Sequence, residues 1–275
     1  MLKVRVLTAL VLLAVLLPVL FLNNFPALAV IVVIFFAAAS WENFRLCSNA
    51  YPKVIAVFWT VLFGFFLMNS NAMAAVLLFA FCAALWLLVF TPLLANGLPP
   101  LQSVRSRLLA GFYSIALLGC FVAIVAAFRH SPLFLLSVMA IVWIADIGAY
   151  FSGKAFGRHK LAPSISPGKT WEGAIGGWIA VMLAAFISVR FPAMHDTFAA
   201  SLVRSHDRWG LIIFMACMTF LVAASVVGDL FESQLKRRAG IKDSSNLLPG
   251  HGGVLDRIDA LIPVLPLAVL INVWL

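Results

Sequence analysis

Long apolar runs separated by short polar breaks make up most of this chain. Nine of them stand out, at roughly 5–22, 26–41, 53–69, 73–95, 108–128, 132–152, 172–190, 209–231 and 254–274, close to the about 20 residues that a helix needs to cross a bilayer. The breaks carry helix-ending residues: Asn23-Asn24, Pro52, Asn69-Ser70-Asn71, Pro99-Pro100 and Ser131-Pro132. The runs are too long and too evenly apolar for barrel strands, which alternate over about ten residues. The pattern predicts an all-α fold, a polytopic helical membrane protein with about nine transmembrane helices. Lys3, Arg5 and the stretch Ala27-Leu28-Ala29 give the first run some likeness to a signal peptide. Its apolar part is long for one and a second span follows at once, so it is read as a retained span.

Composition agrees with the pattern. The chain has 275 residues, 64% of them hydrophobic and 11% charged, where a soluble domain is nearer half apolar and a quarter charged. Cys47, Cys82, Cys120 and Cys217 are scattered in or beside apolar runs with no paired spacing, which fits small buried side chains rather than metal or disulfide use. The net charge of +9 sits in loops too short to form a nucleic-acid-binding face, so no nucleic acid is expected as a partner. Basic loops beside anionic headgroups explain it better.

Charge also orients the spans. With nine crossings, fourteen of the nineteen Lys and Arg residues fall on the side that holds the N-terminus and the loops near 42–53, 96–107, 153–171 and 232–253; Arg129, Arg190, Arg204 and Arg208 fall on the other. Cytoplasmic loops collect Lys and Arg, so that side is expected to face the cytoplasm. Residues 1–100 contain one acid, Glu42, and read as an N-terminal transmembrane scaffold. Residues 101–275 read as a C-terminal transmembrane catalytic region of the same continuous membrane domain.

Two polar stretches carry the candidate chemistry. The stretch from Gly228 to Asp259 holds five of the ten acids, Asp229, Glu232, Asp243, Asp256 and Asp259, among Lys236, Arg237, Arg238, Lys242 and Arg257. A helix continuing past Asp229 places Asp229, Glu232, Ser233 and Lys236 on one stripe, and Asp256 and Asp259 share a face at i, i+3. Two carboxylate-bearing helix ends joined by a basic loop suit Mg2+ bound together with phosphates, since Mg2+ takes few protein carboxylates. Gly252 and Gly253, beside His251, are expected to offer backbone N–H groups to a phosphate.

The second stretch, Gly153 to Gly173, contains Ser166, Lys169, Thr170 and Glu172. Its Gly168-Lys169-Thr170 fails as a P-loop, because Pro163 stands where the first glycine belongs; it reads as a basic loop for polyphosphate. Upstream, Asp146 and Tyr150 lie inside an apolar run, where an ionisable group costs about 2.5–3.5 kcal/mol at the helix centre and signals function. No histidine has metal-ligand spacing, and the GxSxG and HExxH patterns are absent.

The run Ser233-x-Leu-Lys236-Arg237-x4-Lys242-Asp243-x-Ser245-x2-Leu248-Pro249-x-His251-Gly252-Gly253-Val254-x-Asp256-Arg257-Ile258-Asp259 resembles the signature of the phosphatidate cytidylyltransferases (CDP-diacylglycerol synthases), without departure across its 27 positions. Trp143, Asp146, Tyr150, Gly153, Gly157, Leu161, Pro163, Ser166-Pro167, Lys169-Thr170 and Glu172-Gly173 resemble the same family upstream. The resemblance implies a reaction in which CTP and phosphatidate give CDP-diacylglycerol and pyrophosphate in phospholipid biosynthesis. It also implies a Mg2+ requirement, with K+ as a possible companion ion, a homodimer in the inner membrane, and Asp229 and Asp256 as the metal-holding acids. On this reading Lys169, Lys236, Arg237, Lys242 and Arg257 bind phosphates, and Asp243 and Asp259 orient Lys242 and Arg257. The phosphatidate phosphomonoester needs no strong base, its second pKa being about 6 by analogy with phosphoserine.

A CTP-dependent lipid kinase is the nearest alternative, separated by whether the α- or the γ-phosphate of CTP reaches the lipid. A secondary transporter with Asp146 and Asp229 as ion sites is the alternative from another class. It calls for broken spans in paired halves, which the hydropathy pattern lacks.

Overall fold

Capping residues set where the helices begin. The computed structural model describes residues 2–204 and 209–274; the side chains of Lys3 and Arg5, together with His206 and Arg208, lie outside the described residues. Helix α1 spans Leu2–Phe21 and α2 spans Phe25–Leu46, opened by Asn24, whose side chain accepts from the Ala27 amide. Helix α3 (Pro52–Asn69) starts at its proline, and α4 (Ala72–Leu85) is capped by Asn71. A π-helical turn, Trp86–Phe90, joins α4 to α5 (Thr91–Asn96). Ser103 caps α6 (Val104–His130), and Ser131 with Pro132 starts α7 (Pro132–Phe156). These are the asparagine, serine and proline signals that favour helix starts.

The basic stretch after α7 is not all loop. Lys160–Ala162 (β1) and Ser166–Thr170 (β2) pair antiparallel as a small hairpin. The Thr170 hydroxyl then caps α8 (Trp171–Ser188) at the Gly173 amide. After α9 (Phe198–Arg204) comes α10 (Gly210–Arg238), which carries Asp229 through Lys236 as one unbroken helix.

The expected last span over 254–274 is interrupted. It forms α11 (Leu255–Ile258), a break at Asp259-Ala260, and α12 (Leu261–Trp274). Proline at 263 explains part of this: it has no N–H to return to the Asp259 carbonyl, the helical partner four residues back. That carbonyl presses on α10 instead, at Gly228, where a Cβ would lie 2.5 Å from it.

Among the described residues, seven helical stretches are long and apolar enough to cross a membrane: α2, α3, α4 through α5, α6, α7, α8 and α10. The other two expected spans are shorter, an apolar part Leu10–Phe21 in α1 and the 14 residues of α12. At 1.5 Å per residue, α12 measures about 21 Å against a hydrocarbon layer of about 30 Å. It is nonetheless the centre of the bundle, with every residue from Leu261 to Val269 buried, packed against α6, α4, α10 and α7. Helices α7 and α8 make the closest pair. Gly148, Gly176 and Gly177 let their backbones meet, the small-residue packing that membrane helices use. Helix α3 leaves Val54, Phe58, Val61 and Phe65 exposed, a surface suited to lipid tails.

Side-chain contacts gather the basic loops at one end. Arg45 donates to the Ser244 carbonyl, Arg238 donates to Pro99 O at 3.0 Å, and Arg237 donates to Ile165 O at 3.3 Å. The loops after α2, α5, α7 and α10 therefore share one end of the bundle, as the charge distribution predicted. One continuous apolar cluster runs through both the N-terminal helices and the C-terminal ones. Within it Trp86, Phe90, Tyr113 and Phe231 contact one another ring to ring and fasten α10 to the helices before it.

Candidate active site

A cavity of about 400 Å³ opens between α7, α8 and α10, just below the hairpin. Its polar lining is Asp146, Tyr150, Lys154, Lys169, Thr170, Ser225 and Asp229. The two polar stretches of the sequence thus meet here. Lys169 forms an ion pair with Asp229 Oδ2, and the Ser233 hydroxyl lies 3.4 Å from Asp229 Oδ1. Asp146 is near enough to Asp229, Lys169 and Arg257 to interact with each electrostatically. Arg257 is exposed and has no ion-pair partner among the described residues. Tyr150 is exposed at the cavity.

Glycines around Thr170 make this geometry possible. A Cβ on Gly157 would come within 3.0 Å of Thr170, and one on Gly173 would come 2.9 Å from the Ala149 carbonyl. The Thr170 hydroxyl is engaged in capping α8, so its expected role in substrate binding is at most shared with that one. Glu172 faces away from the cavity: it accepts from the Arg158 and His159 amides and lies 2.6 Å from His159 Nδ1. It holds the turn into the hairpin. Ser166 sits in β2 opposite Ala162, and Lys242 is exposed.

A second cluster lies beside the cavity. Lys236, 13% exposed, pairs with Glu232, which is fully buried, and with Asp256 Oδ1 at 2.6 Å. Asp256 Oδ2 accepts from the Ser244 amide at 2.8 Å, the Ser244 hydroxyl at 2.9 Å and the Gly253 amide at 2.7 Å. Burial opposes its ionisation, yet Lys236 and these donors outweigh it and hold the Asp256 carboxyl below the usual carboxylate range. Both Asp256 oxygens are therefore occupied, and Asp256 is not among the residues lining the cavity. Asp229 is engaged in the same way by Lys169 and Ser233, so each of the two acids expected to hold metal is paired with a lysine in this structure.

Two further expectations change. The Gly253 N–H points to Asp256 rather than outward to a phosphate. Gly252 has φ +83° and returns its carbonyl to the Leu248 amide at 2.9 Å, so its glycine serves a tight turn. His251 donates its backbone N–H to Leu248 O at 2.8 Å within that turn, and its ring Nδ1 is buried without a hydrogen-bond partner among the described residues. Asp243 and Asp259 form no ion pair with Lys242 and Arg257 among the described residues. Asp259 instead accepts from the Ala260 amide at 2.8 Å and interacts electrostatically with Asp229.

One residue at the site was missed altogether. Glu42, at the end of α2, is fully buried and accepts from Ser244, Ser245, Val254 and Leu255. A lone acid in a hundred apolar residues was the available signal.

The donor set can be tested against Mg2+. Among the described residues no three His, Cys, Asp or Glu converge. Mg2+ bound with phosphates asks for only one or two carboxylates, and Asp146 and Asp229 supply two facing one cavity. The residues fit.

Comparison with known proteins gives the lineage of this arrangement. The phosphatidate cytidylyltransferase of Haemophilus influenzae is 39% identical, over 97% of this chain and 96% of its own length. That of Pseudomonas aeruginosa is 40% identical, over 97% and 95%. That of Brucella suis is 46% identical over 46% of this chain and 41% of its own. The family model described as the cytidylyltransferase family matches residues 3–274. The match takes in both polar stretches, the cavity between them and the helices that carry them, and this chain belongs to the cytidylyltransferase family.

Proposed function

We propose that the protein catalyses the transfer of a cytidylyl group from CTP to phosphatidate, giving CDP-diacylglycerol and pyrophosphate. The observation that carries the reading is the cavity itself, where a cation from the hairpin, Lys169, faces carboxylates from two membrane helices, Asp146 and Asp229. Family membership and the two full-length relatives named phosphatidate cytidylyltransferase support it. The cavity lies at the end of the bundle where the basic loops gather, which suits one substrate in the bilayer and one in water. The basic-loop bias supports a cytoplasmic position for that end, in an inner membrane.

The central difficulty of the reaction is repulsion between two polyanions. Lys169 and the exposed Arg257 and Lys242 offset it by holding phosphates, and Arg257 is near enough to Asp146 to interact with it electrostatically. Preorganised cations aimed at developing charge are a large source of rate in such reactions. The phosphatidate phosphate attacks the α-phosphorus in line as a dianion, so no side chain need take a proton from it. Asp229 and Asp146 would hold Mg2+, which when bound neutralises charge on the α-phosphate and the leaving pyrophosphate. Asp256 with Lys236 organises the loop. K+ as a companion ion rests on the family resemblance alone. A homodimer remains part of the proposal on the family resemblance alone.

The test is an assay of detergent-purified protein with phosphatidate, Mg2+ and CTP labelled at the α- or the γ-phosphate. Label from the α-position should enter the lipid with release of pyrophosphate. Entry of the γ-label would identify a lipid kinase and overturn the reading.

A further inference from the structure

We propose that Glu42 is a positioning residue for this reaction: its buried carboxylate ties together the two ends of the 244–255 segment and so presets Asp256 and Arg257. The inference rests on the cytidylyl-transfer reading. Glu42 Oε1 accepts from the Ser245 hydroxyl and, at 3.0 Å, from the Val254 amide. Oε2 accepts from the Leu255 amide at 2.7 Å and lies 3.2 Å from the Ser244 hydroxyl. Ser244 has one hydroxyl proton, and Asp256 Oδ2 is nearer to it at 2.9 Å, so that proton is shared between the two acids. One oxygen thus joins the entry of the segment to its exit, from a residue more than 200 positions earlier in the sequence.

Burying a carboxylate is costly unless its lone pairs are met by donors. These donors all come from the segment and none from α2. Opening the segment would strand a charge that has no exposure, and hydrogen bonds to an ionised group are the strong ones. Two neighbours fit the same role. Arg45, three residues on, donates to the Ser244 carbonyl. A Cβ on Gly253 would overlap both Glu42 Oε1 and the Ser244 hydroxyl, so this glycine answers to the acid of α2. Glu42 does not line the cavity and acts through the segment.

The experiment uses full-length, detergent-purified protein and the variants Glu42→Gln, Glu42→Asp, Ser245→Ala and the double Glu42→Gln/Ser245→Ala. It reads kcat, KM for CTP and hydrogen exchange of peptides covering 244–255 and 261–274. A carboxamide turns an N–H toward donors, and losing a hydrogen bond to a buried charge corresponds to about 10- to 100-fold. Glu42→Gln should lower kcat by about that factor and speed exchange in 244–255, with 261–274 unchanged. Glu42→Asp should fall between Glu42→Gln and wild type. The double variant should fall short of the product of the two single effects, since Glu42→Gln already weakens the contact that Ser245→Ala removes. A Glu42→Gln kcat within twofold of wild type would overturn the proposal, as would equal acceleration of exchange in 261–274, which marks a merely structural role. Should Glu42→Gln not fold, Ser245→Ala decides: normal kcat with normal exchange refutes the clamp. Absence of CDP-lipid from the wild-type protein would instead refute the reaction, leaving the exchange data to judge the clamp.

Discussion

Lys169, one residue before the end of β2, is ion-paired with Asp229 on α10 across the mouth of the cavity, each side chain 27% exposed. The contact joins the two polar stretches of the chain and leaves both partners within reach of water. On the proposed reading, an arriving triphosphate would offer Lys169 a better anion, and the exchange would free an Asp229 oxygen. Lys169→Met should therefore lower kcat/KM for CTP by about 10²-fold, the scale of removing one preorganised group from a charged transition state. Lys169→Arg should keep part of the activity. Initial rates over a range of CTP concentrations test this, and an unchanged kcat/KM in Lys169→Met would remove Lys169 from the site.

Lys236 answers a different need. It is the cation between Glu232 and Asp256, whose side chains are 0% and 4% exposed. Removing it leaves two buried carboxylates unpaired, whereas Glu232→Gln removes one of those charges and leaves Lys236 its bond to Asp256. Breaking a buried pair from one side costs about 3–5 kcal/mol. Lys236→Met is expected to melt well below Glu232→Gln in the same detergent. The reverse order would mean that the cluster is not held by its cation.

Much of this was legible in the chain, and the exceptions share one cause. Span positions follow from composition along a line, so the Asn24, Asn71 and Ser131 helix starts appear where the breaks fall. The i, i+4 stripe of α10 gave the Ser233–Asp229 and Lys236–Glu232 neighbours. What a line of residues does not carry is which partners distant in sequence will meet. The partners of Asp256, namely Lys236, Ser244 and Gly253, come from α10 and from both ends of the loop, and no spacing announces them together. Glu42 was read as scaffold because no local pattern ties α2 to a loop 200 residues away. The break before α12 had a local mark, Pro263, yet hydropathy averages over it.

That break supports a third prediction. At Gly228 a Cβ would meet the Asp259 carbonyl at 2.5 Å and Pro263 at 2.9 Å. Neither is the flexible end of a side chain, so Gly228→Ala should push α10 from the break and displace Asp229, the next residue. Overpacking of this kind costs about 1–3 kcal/mol, and activity should fall with it. Gly64→Ala, in α3 where nothing lies within 4 Å, is the control: a helical Gly→Ala change gains about 0.5–1 kcal/mol. Melting temperatures of the two variants should move in opposite directions. A Gly228→Ala protein as stable and active as wild type would show that α10 and the break are not in close register.

On the proposed reading, metal dependence should separate the carboxylates by role. Asp146 and Asp229 line the cavity, whereas Asp256 is enclosed by Lys236 and the amides of its own loop. Chelation with EDTA should abolish CDP-lipid formation, and added Mg2+ should restore it. Replacing a cavity carboxylate is expected to weaken metal binding while leaving the folded chain in place. Asp229→Asn and Asp146→Asn are therefore expected to raise the Mg2+ concentration for half-maximal rate by about tenfold or more, a loss of about 1.4 kcal/mol in binding. Asp256→Asn removes an acceptor from a loop held by charge-assisted bonds. It should lower kcat at every Mg2+ concentration and speed hydrogen exchange in the 244–255 segment, with little change in the half-maximal concentration. A Mg2+ titration of the three variants beside wild type distinguishes the cases. If Asp256→Asn alone shifts the half-maximal concentration, the metal lies at Asp256, and Lys236 must leave that carboxylate before the reaction can proceed.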